Sequence, residues 1–261
     1  MKFKLFDNFM FYVSSLLIPS IFLFESMIIV PNFYPFDNIW YKFHLVLAIY
    51  VLFNASVNFY YLCVINTSIN GIYLTKKDCE DGRYCSICEC YCPPRSYHCY
   101  VCKTCILRRD HHCVFSGSCV GLYNHRYYII TIFYCFVAAL YGSYFNVFYS
   151  LQLYRTYQIW QMILIFLFPL FSYVIQAITF HQFIVSLGTL ICFVALSLLS
   201  ILGVFHMKLI FLNRTVHENA YNVSKYTHKS LVINVQSILG KRYIIVWFWP
   251  LSNSPIIDKL F

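Results

Sequence analysis

Asp110, His111, His112 and Cys113 occupy four consecutive positions. A metal site would consume such residues as ligands, whereas thiol chemistry needs the cysteine left free. A thiolate nucleophile, an imidazole base and a carboxylate that orients the base form the general triad of covalent catalysis. Cys113, His111 and Asp110 supply those three groups. A nearby metal and the basic pair Arg108–Arg109 would favour the thiolate. On spacing alone, the alternative is that Cys113 is one more ligand or a buried thiol, so the ligands around it must be counted.

The segment from Tyr84 to Gly121 holds nine of the 13 cysteines and three histidines. In a reducing compartment such clustering points to metal rather than disulfides. C-x2-C pairs stand at Cys85/Cys88, Cys99/Cys102 and Cys102/Cys105. Each can offer two sulfurs from one tight turn to a tetrahedral zinc at ~2.3 Å. His98 and Cys99 are neighbours whose side chains diverge, which assigns them to different metals. An interleaved scheme satisfies two zinc ions. The first takes Cys85, Cys88, His98 and Cys105; the second takes Cys99, Cys102, His112 and Cys119. Both are closed Cys3His sets, hence structural, and would supply much of the segment's folding free energy. Asp110, His111 and Cys113 remain free. Cys90 and Cys92 are surplus, as alternative ligands, acylation sites or idle thiols.

The elements that position this segment are written in the composition. The 261 residues are 60% hydrophobic and 11% charged, far from the roughly 25% charged of a soluble domain. Apolar runs cover about 9–30, 40–65, 127–151, 158–178 and 183–212, which makes the chain a multi-span membrane protein. The net charge of +9 is no sign of nucleic acid. Of 19 Lys and Arg, 17 lie in the N-terminal tail, the 66–126 loop or from Lys208 onward; the exceptions are Lys42 and Arg155. That asymmetry marks these regions as cytosolic. The first run follows Lys2 and Lys4 but is too long for a signal-peptide core and lacks a small-residue cleavage site, so it reads as a retained span. Glu25 within it is a functional candidate by default; the plainer reading is a carboxyl at a helix interface. A cytosolic loop and tail require an even number of crossings after Arg126, yet three apolar runs follow. The run with Pro169, 158–178, is therefore expected to be re-entrant or interfacial. No internal repeat is evident. The expected plan is an all-α four-helix transmembrane bundle with a cytosolic zinc-binding insert between spans 2 and 3. Residues 1–66 hold spans 1 and 2, 67–126 the insert, 127–212 spans 3 and 4, and 213–261 a cytosolic tail.

The pattern C-x2-C-x4-PPRS-x-HC-x2-C-x2-C-x4-DHHC-x5-C-x-G-x2-N runs from Cys85 to Asn124. It resembles the cysteine-rich domain of DHHC protein S-acyltransferases (palmitoyltransferases). The likeness extends to Thr215–Glu218, where that family has Thr-Thr-x-Glu, and to Asn234–Pro250, which is similar to its C-terminal segment. It covers residues 10–250. The resemblance implies that Cys113 is acylated by a fatty acyl-CoA such as palmitoyl-CoA, then passes the chain to cysteines of membrane-associated proteins. It implies His111 as general base, Asp110 as its partner, His112 as a zinc ligand and the two Cys3His sites above. A 16-carbon chain buried at ~0.8 kcal/mol per CH2 gives ample donor affinity. Arg95, Arg108 and Arg109 are candidates for CoA phosphates, ordinary positive-inside residues being the alternative. The common family address is ER or Golgi; protein substrates and any accessory subunit are not written in the sequence.

The chain departs from the family at several positions. Val114-Phe115 replaces Pro-Trp, freeing the turn that aims Cys113, although Phe115 still offers a flat apolar face to the first acyl carbons. Gly117-Ser118 replaces an Asn pair, and Cys92 stands where Lys or Arg is common. Val216 replaces the second Thr of Thr-Thr-x-Glu, which is expected to remove a brace from Asp110. Ala138 and Ala139 among aromatics suit a longer acyl cavity or helix packing. Two further readings compete: a catalytically impaired family member acting as a scaffold, and a membrane ubiquitin ligase, whose zinc spacings are wider and which leaves D-H-H-C unexplained.

Overall fold

The computed structural model describes residues 2–75, 79–226 and 230–256, with side chains from residue 5. The side chains of Lys2 and Lys4, residues 76–78 of the insert, and residues 227–229 and 257–261 of the tail lie outside the described residues.

Four helical stretches are long and apolar enough to cross a membrane: Leu5–Asn32, Ile39–Val64, His125–Leu153 and Phe180–Leu212. Their 28, 26, 29 and 33 residues exceed the ~20 that a hydrocarbon core requires. The first combines α1 (Lys2–Phe24), a π turn (Glu25–Ile29) and a 3-10 turn (Val30–Asn32). The others are α2 (Ile39–Val64), α3 (His125–Leu153) and, further along, a helix over Phe180–Leu212. Leu5, Leu16, Val46, Ile201 and Val204 are each at least two-thirds exposed. Water would penalise that apolar surface and lipid does not.

The run with Pro169 is not among the candidate spans. It folds as two short helices, α4 (Ile159–Leu167) and α5 (Pro169–Val174). Proline disfavours helical backbone in the residue before it, and Phe168 indeed sits at φ −133°, ψ 57°. Pro169 then opens α5. The long helix Phe180–Leu212, α6, follows.

The described chain forms two units: Met1–Leu16, Asn54–Thr131 and Gly203–Phe261 in one, Leu17–Phe53 and Ile132–Leu202 in the other. In the second unit, Tyr154 is fully buried among Ile165 and Ile178 and its hydroxyl meets Ser186 Oγ at 2.6 Å. These contacts fasten the α4–α5 pair to α6. Glu25 is buried here too, accepting from Asn146 Nδ2 at 2.5 Å and from the Cys192 thiol at 3.5 Å. Gly142 permits that approach, since a Cβ there would lie 2.7 Å from Glu25 Oε1.

The first unit contains the cysteine-rich insert, and here the all-helical expectation is corrected. Six three-residue strands form three antiparallel hairpins: β1–β2 (Arg83–Cys85, Cys90–Cys92), β3–β4 (Tyr97–Cys99, Thr104–Ile106) and β5–β6 (His111–Cys113, Ser118–Val120). Each hairpin starts 14 residues after the one before, with the same register. Each turn ends in a left-handed residue: Glu89 (φ 51°), Lys103 (φ 55°) and Gly117 (φ 61°). The insert is thus a threefold repeat, contrary to the sequence reading. Only the leading cysteine and the turn geometry recur at every copy, so residue identity conceals the period. Tails α7 (Val216–Ala220) and α8 (Leu231–Leu239) follow α6. Gly121 lets the chain leave the last hairpin, because a Cβ there would lie 2.5 Å from Thr67 Oγ1 and 2.7 Å from the Leu107 carbonyl oxygen.

Candidate active site and metal centres

The hairpin repeat explains how ligands are apportioned. Two compact donor sets emerge, Cys85–Cys88–His98–Cys105 and Cys99–Cys102–His112–Cys119, each with all donor atoms within 4.8 Å of one another. The first two cysteines of a set come from one hairpin turn. The histidine and last cysteine come from the next hairpin, where His98 faces Cys105 and His112 faces Cys119 directly across the strands. Directly opposed residues project to the same face, so one pair closes each set. His98 Nδ1 lies 3.2 Å from Cys88 Sγ; His112 Nδ1 lies 3.3 Å from Cys102 Sγ and 3.6 Å from Cys119 Sγ. Three thiols and one imidazole suit zinc. Cys99, Cys105 and Cys119 are each at most 3% exposed, and as thiolates they would need a cation beside them.

Cys113 begins the third turn, at the place held by Cys85 and Cys99 in the others. Position 116, where the earlier turns carry Cys88 and Cys102, is Ser116, and no fourth hairpin follows among the described residues. The repeat therefore presents a cysteine in a ligand-type turn with no donor set to complete. Cys92 is fully buried beside Cys85 and Cys105, while Cys90 Sγ stands 3.9 Å from Cys92 Sγ.

The Cys113 side chain is buried, and beside it His111 Nδ1 bonds Asp110 Oδ2 at 2.7 Å. Asp110 is 1% exposed, and its second oxygen accepts the backbone N–H of Val216 at 2.8 Å. The Val216 side chain offers Asp110 no hydrogen bond, but its main chain does. That amide is aimed by the N-terminus of α7. Thr215 Oγ1 accepts from Glu218 N–H at 3.1 Å and Glu218 Oε2 accepts from Thr215 N–H at 2.9 Å, a reciprocal capping box.

Electrostatics follow from these contacts. Burial opposes ionisation of Cys113, yet hydrogen bonds to His111 and Ser116 and the His111 charge hold its pKa below the ordinary thiol value. Burial likewise opposes protonation of His111, but its bonds to Asp110 and Cys113 raise it to about 9. Asp110 stays below the usual carboxylate range despite burial, through the imidazoles of His125 and His111. Each member of the pair thus favours the charged form of the other.

Of the residues expected at CoA, Phe115 stands 47% exposed on the third turn, and Arg109 is partly exposed. Arg95 and Arg108 are placed otherwise. Arg95 forms a bidentate pair with Glu218 at 2.6 and 2.7 Å and lies over the Tyr226 ring. Arg108 donates to Ser237 Oγ and Asn213 Oδ1 at 2.9 and 2.7 Å. Both guanidiniums are buried and lock the tail to the insert, so the expectation that they meet CoA phosphates is corrected.

Sequence reasoning missed three contributors. Tyr128 packs edge-on against the His111 ring, and its hydroxyl meets His206 Nε2 at 3.1 Å. Asp7, on α1, faces His112 Nε2 at 3.1 Å. A polar residue inside an apolar span is a signal in itself, and His206 and Asp7 both carried it. Asp110, His111 and His206 also bring ligand-type atoms within 4.8 Å. Asp110 is already bonded on both oxygens, so the set reads as a hydrogen-bonded cluster.

Comparison with known proteins places this geometry. A family model described as DHHC palmitoyltransferase matches residues 78–223. A protein called "Probable palmitoyltransferase ZDHHC24" from Danio rerio is 31% identical over 221 residues, covering 84% of this chain and 75% of the relative. Proteins of the same name from Rattus norvegicus and Homo sapiens are each 29% identical, over 232 and 219 residues; the matches cover 88% and 81% of this chain and 81% and 75% of those relatives.

Proposed function

The chain belongs to the DHHC palmitoyltransferase family and is an acyltransferase; on that premise we propose that Cys113 is the residue that carries the acyl group. The observation that supports this most is the position of Cys113: a ligand-type turn, outside both donor sets, beside the His111–Asp110 pair. In the first half-reaction the Cys113 thiolate attacks the thioester carbonyl of a fatty acyl-CoA such as palmitoyl-CoA. The S–C bond to CoA breaks, and the CoA thiolate takes the proton held by His111. In the second, His111 removes the thiol proton of a cysteine on a membrane-associated protein. That thiolate attacks the Cys113 thioester, and Cys113 departs as a thiolate. Exchange of one thioester for another is nearly isoenergetic, so activation and positioning are what the site must supply, with ping-pong kinetics. Zinc in the two Cys3His sets would fix the three hairpins. Phe115 would flank the first acyl carbons, and Arg109 is the remaining basic candidate for a CoA phosphate.

The proposed placement is an ER or Golgi membrane, with both termini and the insert cytosolic and α4–α5 at the opposite interface. Residues 1–66, 67–126, 127–212 and 213–261 are the proposed divisions. Incubation of the detergent-purified protein with labelled palmitoyl-CoA is expected to give hydroxylamine-labile label that Cys113→Ser abolishes. Label that survives Cys113→Ser would overturn the assignment of Cys113.

A further inference from the structure

The two histidines proposed as metal ligands present Nδ1 to their thiols. For His112 the other ring nitrogen has a defined destination: Nε2 is 3.1 Å from Asp7 Oδ2, with both side chains at most 10% exposed. A neutral imidazole has one N–H and one lone pair. Coordination through Nδ1, which faces Cys99, Cys102 and Cys119 at 3.8, 3.3 and 3.6 Å, puts the N–H on Nε2. Asp7 is then a correctly placed acceptor. A carboxylate in the first turns of an apolar span is costly unless it is paired, and His112 is that pair.

The connection reaches the reacting residues through covalent geometry. His112 lies in β5 between His111 and Cys113, so a rotation of its ring would be felt on both sides. Backbone of the third turn also passes Asp7, a Cβ at Gly117 lying 4.0 Å from Asp7 Cβ.

We propose that Asp7 is a positioning residue for the second metal centre, holding His112 in the tautomer and orientation that Cys99, Cys102 and Cys119 require. It thereby ties the start of span 1 to the strand that carries His111 and Cys113. The proposal rests on the reading of His112 as a zinc ligand. Carboxylate partners of ligating histidines are worth about 10–100-fold in metal affinity or activity.

The test is zinc transfer from the purified full chain to a chromogenic chelator. The native chain is expected to release two zinc ions slowly. Asp7→Ala is expected to release one of them about 10–100 times faster and leave the other unchanged, with Asp7→Glu restoring the native rate. Native release from Asp7→Ala would overturn the proposal. A role in packing span 1 is separated by a cycle with His112→Cys, which makes the second set four thiols. In that background Asp7→Ala is expected to change nothing, and an undiminished effect there would also overturn the proposal. Should Asp7→Ala fail to accumulate, Asp7→Asn preserves shape and is read by the same criteria. Failure of the functional reading looks different: two tightly held zinc ions with no acyl-enzyme would sink the acyl transfer while leaving Asp7 in place.

Discussion

At the scale of single residues, the site depends on the tautomer of His111. Asp110 accepts the Nδ1–H, which leaves Nε2 for the proton exchange with thiols proposed above. Asp110→Asn keeps the shape but inverts that preference, so acyl-enzyme formation is expected to fall on the order of 10³–10⁴-fold, as in other carboxylate–imidazole systems. Val216→Thr, which restores the family's side chain, is expected to change the rate by less than about threefold, because the bond to Asp110 comes from the backbone amide and most hydrogen bonds are worth only about 1 kcal/mol. Single-turnover labelling of the two variants checks both. The pH dependence has a definite sign. His111 lowers the Cys113 pKa, so alkylation of Cys113 should have its midpoint below the ordinary thiol value of about 8.5. His111→Ala removes the stabilising charge and is expected to move that midpoint up by about one unit or more. An unmoved midpoint would mean that the turn around Ser116, not His111, sets the thiolate. The grouping of Asp110, His111 and Cys113, on which their proposed roles rest, was legible because they lie within four residues of one another in the sequence. The roles of Arg95 and Arg108 were not, since their partners Glu218, Asn213 and Ser237 lie more than 100 residues away, and a cation's partner cannot be read from its own neighbourhood.

Among the elements, the insert illustrates what spacing reveals and what it hides. The interleaved donor sets followed from the C-x2-C pairs and the divergence of His98 from Cys99, and the fold brings those eight residues together in that arrangement. The hairpin repeat did not show, because two of its three left-handed turn residues are Glu89 and Lys103 rather than glycine. Removal of both zinc ions is expected to abolish acyl-enzyme formation and open the ligand thiols to alkylation while far-UV helicity, dominated by the spans, is largely kept. A chelator that strips zinc and leaves labelling of Cys113 intact would contradict the proposed dependence. The join between insert and tail can be weighed separately. Arg95→Ala strands the Glu218 carboxylate, whose side chain is 0% exposed, and breaking a buried pair in this way costs about 3–5 kcal/mol. The Lys225–Asp81 pair is 63% and 74% exposed and should contribute nothing measurable. Thermal melts in detergent are therefore expected to show a large loss for Arg95→Ala and none for Lys225→Ala.

For the whole molecule, the parity of the crossings turns on residues 158–178. Hydropathy alone counts that run as a span. Pro169 and the break at Phe168 divide it into helices of nine and six residues, about 14 and 9 Å at 1.5 Å per residue, neither of which crosses a core of ~30 Å. Two candidate spans then lie between the insert and the tail, and the proposed topology puts the basic residues of both on one side. The chain carries its own reporters of this arrangement. Three of the chain's four N-x-S/T acceptors, Asn66-Thr67-Ser68, Asn213-Arg214-Thr215 and Asn222-Val223-Ser224, fall in regions read as cytosolic, while Asn54-Ala55-Ser56 lies within the second span. Translation with microsomes is expected to leave them unmodified, whereas an acceptor cassette inserted after Asp37, in the loop between the first two spans, should be glycosylated. If 158–178 crossed after all, the tail would lie in the lumen, and Asn222 or a cassette appended after Phe261 would gain a glycan. That outcome would put the α7 amide and the capping box on the opposite side from Asp110, which the 2.8 Å bond between Val216 and Asp110 forbids. The position of the tail and the geometry of the Asp110 carboxylate therefore stand or fall together.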